Sequence, residues 1–163
     1  IDLRGINPSA GNVKSGISTL EEKSFCSILK TGKAPIEGVL DYACFPPSKK
    51  GLYFMNGPGH DVDGITGLLA GGAQLVLFSS SFGSPIGSAI APLIKISGSS
   101  RTSNFMKDII DINAGKIIDE SISIEEMSQE IFEEFIKVCN GKLTKSEILG
   151  HDEFGIYIIG PMF

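Results

Sequence analysis

Apolar positions along the chain follow two alternating rhythms, one helical and one of short unbroken runs. From Thr19 onward, Leu20, Phe25, Ile28 and Leu29 offer an apolar face at helical spacing. Thr19 with Glu22 three residues on has the form of a capping box, and Gly32 supplies a stop. A second, short helix is predicted over Ile36–Tyr42, ahead of Pro46-Pro47. Gly51–Met55 then reads as a buried strand closed by Asn56-Gly57-Pro58-Gly59. Asp61 is placed to cap a following helix whose Ile65, Leu68 and Leu69 stand at i, i+3 and i+4. Gly64 and Gly67 each cost that helix roughly 1 kcal/mol against alanine, tolerable where its backbone must lie close to a sheet or a ligand. Gly71-Gly72 ends it, and Ala73–Phe78 is the next strand.

The loop Ser79–Ser88, rich in Ser, Gly and Pro, leads to a third strand at Leu93–Ile96. Arg101–Ile110 is predicted helical and Lys116–Ile118 a short strand. The clearest element runs from Ile124 to about Asn140. Ser123 with Glu126 caps it, Ile122 can staple to Met127, and Gly141 closes it, with Met127, Ile131, Phe135 and Val138 as its apolar face. Phe154–Ile159 reads as a final edge strand, and Ile1–Ser18, with turn residues at Asn7–Asn12, as an ordered loop. Strands that are apolar on both faces and alternate with helices are the mark of a parallel sheet buried on both sides. The expected fold is α/β: a single domain over residues 1–163 with a mainly parallel, Rossmann-like sheet covered by helices on both faces.

Composition narrows the classes. The 163 residues are 42% hydrophobic and 20% charged, with a mean hydropathy of +0.17, which excludes a disordered chain. No apolar run approaches the roughly 20 residues that span a bilayer, so no membrane partner is expected. A net charge of −5, a pI near 5.0 and arginine only at Arg4 and Arg101 exclude a nucleic-acid footprint. Cys26, Cys44 and Cys139 form no CxxC pair; they are expected to pack in the core of a protein from a reducing cytoplasm. The chain opens at Ile1 without methionine or a signal-like segment, and is expected to be a segment of a longer protein.

In open parallel sheets, ligands bind in the crevice beyond the carboxyl ends of the strands. Two loops are placed there, Asn56–Asp61 and Ser79–Ser88, both rich in small residues whose amides can approach a polar ligand. The first also feeds a helix N-terminus, a seat for a carboxylate or phosphate. Gly57 and Gly59 supply G-x-G, but Val62 breaks the dinucleotide fingerprint, and neither a P-loop nor a G-x-S-x-G elbow occurs. His60 and His151, 91 positions apart and each followed by Asp, lack the further histidines of a phosphohydrolase site. Each is expected to be a surface or structural residue, with His60 carrying more weight because of its loop. Glu21, Glu22 and Lys23 occupy a first helical turn, where the carboxylates complement the helix dipole. Lys95 lies inside an apolar strand and must reach solvent, a carboxylate or a ligand. Asp111 and Asn113 flank Ile112, either as two polar groups on one side of an extended stretch or as turn organisers.

Taken in order, NPSAGN (7–12), SGISTLEEK (15–23), GLYFMNGPGHD (51–61) and TGLLAGGAQLVLF (66–78) carry a resemblance. It continues through Pro85–Gly87, PLIKI (92–96), DINAG (111–115) and GKLT (141–144). The series resembles the C-terminal domain of the altronate/galactarate dehydratase family across nearly the whole chain. The resemblance implies a metal-dependent hydro-lyase that converts a sugar acid to a 2-keto-3-deoxy acid, with iron(II) as the usual divalent metal. It also implies an upstream catalytic region, or a separate subunit, of the same enzyme. Carried onto matching positions, it makes Glu21 and Asp61 metal ligands or bases, and Lys23 and Lys95 the cations for a substrate carboxylate or enediolate. Asn56, Gly57, Gly59, His60, Ser80 and Asn113 then become substrate-binding positions. One departure stands out: where relatives read close to T-T-G-R-G-T-P, this chain has Ser79–Pro85 with Phe82 in the arginine's place. Phenylalanine cannot hold a carboxylate bidentately, which implies a different substrate or lost activity if that arginine meets substrate. Other expectations are a non-catalytic small-molecule binding or assembly module of the same fold, or a diverged lyase of the sulfolactate type. The protein is expected to form homo-oligomers and to be cytoplasmic.

Overall fold

The computed structural model describes residues 8–14 and 16–156. Helix α1 (Ala10–Lys14) lies inside the segment expected to be loop; Ser9 starts it, its hydroxyl bonding the Asn12 side chain at 3.1 Å. Residues 1–7 and 157–163, with most of the expected Phe154–Ile159 strand, lie outside the described residues, and 154–156 carry no strand. Helix α2 (Leu20–Leu29) starts as expected, with the Thr19 hydroxyl accepting the Glu22 amide at 3.1 Å. The Glu22 carboxylate reaches back to the Ser18 amide at 2.8 Å instead of the cap residue, so the box is half formed.

Residues 36–40 are not helical. They form strand β1 (Ile36–Leu40), which pairs in parallel with β2 (Leu52–Met55), with a register shift between Ile36 and Gly38. Two β-branched residues and a glycine in five positions fit a strand better than a helix, and the partner strand decides the matter. Helix α3 (Asp61–Ala70) follows β2. His60, not Asp61, holds the N-cap position and makes no side-chain cap bond; Asp61 is the first helical residue.

The second ladder contains β3 (Val76–Ser80), β4 (Leu93–Ser97) and β5 (Ile112–Asn113), all parallel with β4 central. Helix α4 (Ser100–Phe105) separates β4 from β5 and is shorter than the predicted 101–110. Lys116–Ile118 is not a strand: α5 (Lys116–Asp119) is one helical turn, with Ile117 packed on the core. Helix α6 (Ile124–Cys139) forms with both halves of the Ser123–Glu126 capping box, and Gly141 beyond it has φ +95°. Helix α7 (Lys145–Leu149) has the same box from Thr144 and Glu147. No helix among the described residues is long and apolar enough to cross a membrane.

The architecture is α/β with parallel pairing throughout, in two ladders of two and three strands. Every residue of β4 is buried. Its odd side, with Leu93, packs with Val76 and Ile86 against Ile65 of α3. Its even side, Ile94 and Ile96, packs with Ile112 against Met127 and Val138 of α6. The three-stranded sheet is thus covered by a helix on each face. Cys44 and Cys139 are exposed free thiols rather than core residues, while the Cys26 side chain lies outside those described. They flank packed elements instead of filling them, so their small apolar side chains contribute no core volume.

Gly67 is explained by packing. A Cβ there would overlap the ring of Tyr42, whose hydroxyl donates to the Asp63 carbonyl at 2.6 Å and so cannot swing away. A Cβ at Gly64 meets only the Pro58 carbonyl oxygen at 3.8 Å. The two glycines therefore respond oppositely to alanine. Gly64→Ala gains helix propensity and stabilises by about 0.5–1 kcal/mol. Gly67→Ala overpacks: close overlap with the Tyr42 ring puts the strain toward the upper end of about 1–3 kcal/mol, for a net cost of up to about 2 kcal/mol after the gain in propensity. Chemical denaturation of the two variants checks the sign of each.

Candidate active site

The residues that line the main cleft come from the first ladder. Helix α2 presents Leu20, Lys23, Ser24 and Ile28 to a cavity of about 810 Å³, positions that share one helical face by their spacing. Opposite them stand the carboxyl ends of β1 and β2: Asp41 directly after β1, and Asn56, Gly57 and Gly59 directly after β2. Because both strands are parallel, their carboxyl ends open on the same side, and the loop after β2 feeds α3. The cleft therefore sets an ammonium and a carboxylate around glycine-rich backbone, chemistry suited to a small hydroxy acid anion.

The positions singled out from sequence fall in different places. Lys23, Asn56, Gly57 and Gly59 line this cleft together. His60 and Asp61 follow in chain order at the start of α3; the His60 ring lies 3.7 Å from the Asp63 carboxylate and is largely exposed. Glu21 is exposed in the first turn of α2, off the lining face. Ser80 and Asn113 end β3 and β5 on the other ladder. There the Asn113 amide donates to the Ser100 hydroxyl at 3.1 Å, and its carbonyl oxygen accepts the Gly115 amide at 3.0 Å. Phe82, in the loop after β3, is 76% exposed, with ring atoms 3.7 Å from where a Cβ on Gly11 of α1 would stand.

Among the described residues, no three His, Cys, Asp or Glu side chains come together in a set able to hold a metal ion. Glu21 and Asp61 alone do not complete one, so no step is assigned to a metal on this chain's own residues. Asp41 is the lining residue that sequence reasoning missed, because it follows a strand read there as helix. The usable signal was the parallel-sheet rule itself, which places functional groups directly after strands.

Among the described residues, Lys95 pairs with no carboxylate, and it does not reach solvent. It is fully buried in β4, and its ammonium donates to the carbonyls of Pro85 at 3.2 Å and Ile86 at 2.9 Å. Burial pushes its pKa down from the usual lysine value, opposed by the charges of Asp111 and Glu153. The Pro85 carbonyl also contacts the His151 ring, and the Gly87 amide donates to Glu153 at 2.9 Å. The loop after β3 is thus held from beneath by Lys95 and from outside by residues 151–153.

Glu153 is held below the ordinary carboxylate range chiefly by the Gly87 amide. A depressed folded pKa means that the stabilisation is complete above the unfolded value, about 4.3, and is lost as pH falls through the folded value. Hydrogen-exchange protection at Gly87 is expected to drop over that acid range, and Glu153→Gln is expected to abolish the drop. An unchanged acid response in the variant would remove Glu153 from this role.

A model of the family described as D-galactarate/Altronate dehydratase, C-terminal, matches residues 1–162. Over 154 residues the chain is 34% identical to the (2R)-sulfolactate sulfo-lyase subunit beta of Chromohalobacter salexigens, covering 94% of this chain and 39% of that protein. Altronate dehydratase of Bacillus subtilis is also 34% identical over 154 residues, covering 94% of the chain and 31% of the relative. Galactarate dehydratase (L-threo-forming) of Escherichia coli is 34% identical over 161 residues, 98% of the chain and 31% of the relative. The chain therefore spans between 31% and 39% of the length of these relatives. With that family model matching residues 1–162 of its 163, the chain belongs to the D-galactarate/altronate dehydratase C-terminal family.

Proposed function

We propose that the chain is the C-terminal part of a hydro-lyase that dehydrates a sugar acid to a 2-keto-3-deoxy acid. The observation that carries this reading is the cleft at the carboxyl ends of β1 and β2, which Lys23, Asp41, Asn56, Gly57 and Gly59 line together. In the reaction a base removes the proton beside the carboxylate, and the electron pair forms an enediolate. The β-hydroxyl then takes a proton from the protonated base or another acid and leaves as water, and the resulting enol tautomerises to the keto acid. The enediolate step needs cationic or N–H donors placed where charge develops, which Lys23 and the glycine amides can supply. Asp41 is the lining carboxylate placed for proton transfer.

A divalent metal such as iron(II) would act here with ligands from the remainder of the enzyme, since Glu21 and Asp61 do not form a complete set. The exposed thiols of Cys44 and Cys139 suit a reducing cytoplasm. The deciding assay is 2-keto acid formation by the full-length polypeptide, anaerobically with iron(II), across hexonates, hexarates and (2R)-sulfolactate. Product from a hexonate or hexarate is expected. Turnover of sulfolactate alone would make the protein a diverged lyase of that type. Saturable binding of an acid without turnover, by folded and metal-loaded protein, would favour the binding-module reading that the incomplete ligand set raises.

A further inference from the structure

The two ladders differ in one physical respect: among the described residues, the buried core clusters gather around the second and none around the first. Among the described residues, Pro8 is the one buried apolar residue ahead of Ile65, and α2, β1 and β2 contribute none. Yet this region holds a parallel strand pair, and parallel sheets persist with both faces covered, while two strands alone are marginal in water. Leu52–Met55 of β2 are half-buried, and several apolar residues of α2 and β1 are open to solvent. On α2, Phe25, Ile28 and Leu29 stand at i, i+3 and i+4, exposed by 58%, 49% and 64%. On β1, Ile36 and Val39 are exposed by 45% and 73%. Ile28, Ile36 and Val39 line the same cleft, so helix and strand contribute to one continuous apolar surface. Surfaces of this kind on a folded protein mark places where another chain packs.

We infer that the α2–β1 face is the seat of the additional polypeptide that family members carry outside the region matched here. The chain covers 31–39% of its relatives, so the larger part of each is available to cover it. The cleft is built accordingly. Its polar end carries Lys23, Asn56 and Asp41, while its apolar flank offers Ile28, Ile36 and Val39, more apolar surface than a polyhydroxylated acid can use. Seated on that flank, the covering chain closes the cleft and becomes its second wall, so the substrate site lies between the two parts. The inference rests on membership of a family of longer proteins and deepens the reading of the cleft, but its test involves no turnover.

The test is thiol labelling of Val39→Cys and Leu29→Cys in the full-length polypeptide, quantified peptide by peptide against the same variants in denaturant. Both substitutions are mild, and the two sites lie on different elements, so failure of one variant to fold leaves the other as the probe. Protection of roughly 100-fold or more is expected, as for any position exposed only by local opening, and it is expected to persist on dilution. Reaction closer than that to the denatured rate would show a bare face and overturn the inference. Protection that vanishes as the protein dissociates on dilution would assign the face to a second copy and overturn it equally. A protein that turns over no sugar acid but shows dilution-independent protection would sink the dehydratase reading alone.

Discussion

Replacing Asp111 with alanine is expected to destabilise the protein by about 2–4 kcal/mol, because it strips the acceptor from two backbone amides at once. Strand β5 has only two residues, too short to satisfy the edge of β4 along its length. Asp111, directly before it, finishes the ladder with its side chain: one carboxylate oxygen accepts the Lys95 amide at 2.8 Å and the other the Lys145 amide at 2.9 Å. Its own amide donates to the Lys95 carbonyl at 3.0 Å. The carboxylate thus ties the central strand to the start of α7. For a chain of this size the loss corresponds to roughly 6–12 °C in Tm. Asp111→Asn is expected to recover little, since an amide offers one acceptor oxygen and turns an N–H toward the second donor. A wild-type melting point for the asparagine variant would mean that neither the charge near Lys95 nor the second acceptor oxygen is what Asp111 contributes.

The same region shows why part of the fold was legible and part was not. Helix α6 could be read because its determinants are local: a capping pair three residues apart, an apolar face at 3.6 spacing and a closing glycine. Strand β1 could not, since IEGVL has no decisive period and becomes a strand by pairing with β2, fifteen or sixteen residues further on. Helix α5 failed in the opposite sense. Its Ile117-Ile118 pair favours a strand, but Gly115 sits against the backbone of Ser99 and Ser100, and the turn that follows sends Ile117 to the core. The oddity of Lys95 was visible in the sequence, whereas its destination was not. The carbonyls that receive its ammonium belong to a loop nine and ten residues away, whose path depends on the strap from His151 to Glu153. Of the candidate site, the loop after β2 was legible because glycine-rich turns announce strand ends. Asp41 was hidden by the misread strand before it.

Lys23→Met is expected to lower kcat/KM of the full-length enzyme by about 10²–10³-fold, the loss seen when one donor is removed from a developing oxyanion. Lys23 is half-buried on the cleft face of α2, away from the buried clusters around β4, and kinetics are compared at a temperature where both proteins are folded. The split between constants then tells what the ammonium does. If it holds a substrate carboxylate equally in ground and transition states, KM rises and kcat stays. If it meets the charge that grows as the α-proton leaves, kcat falls, and that is the expected result, because the glycine amides after β2 are already placed for the resting carboxylate. Lys95→Met makes the contrasting control. Its ammonium is bound by two carbonyls and buried, so its loss acts through the loop after β3 and should appear first in stability and exchange. A Lys23 variant within threefold of wild type in kcat/KM would take this lysine out of the site and move the search for the enediolate's cation to the covering chain.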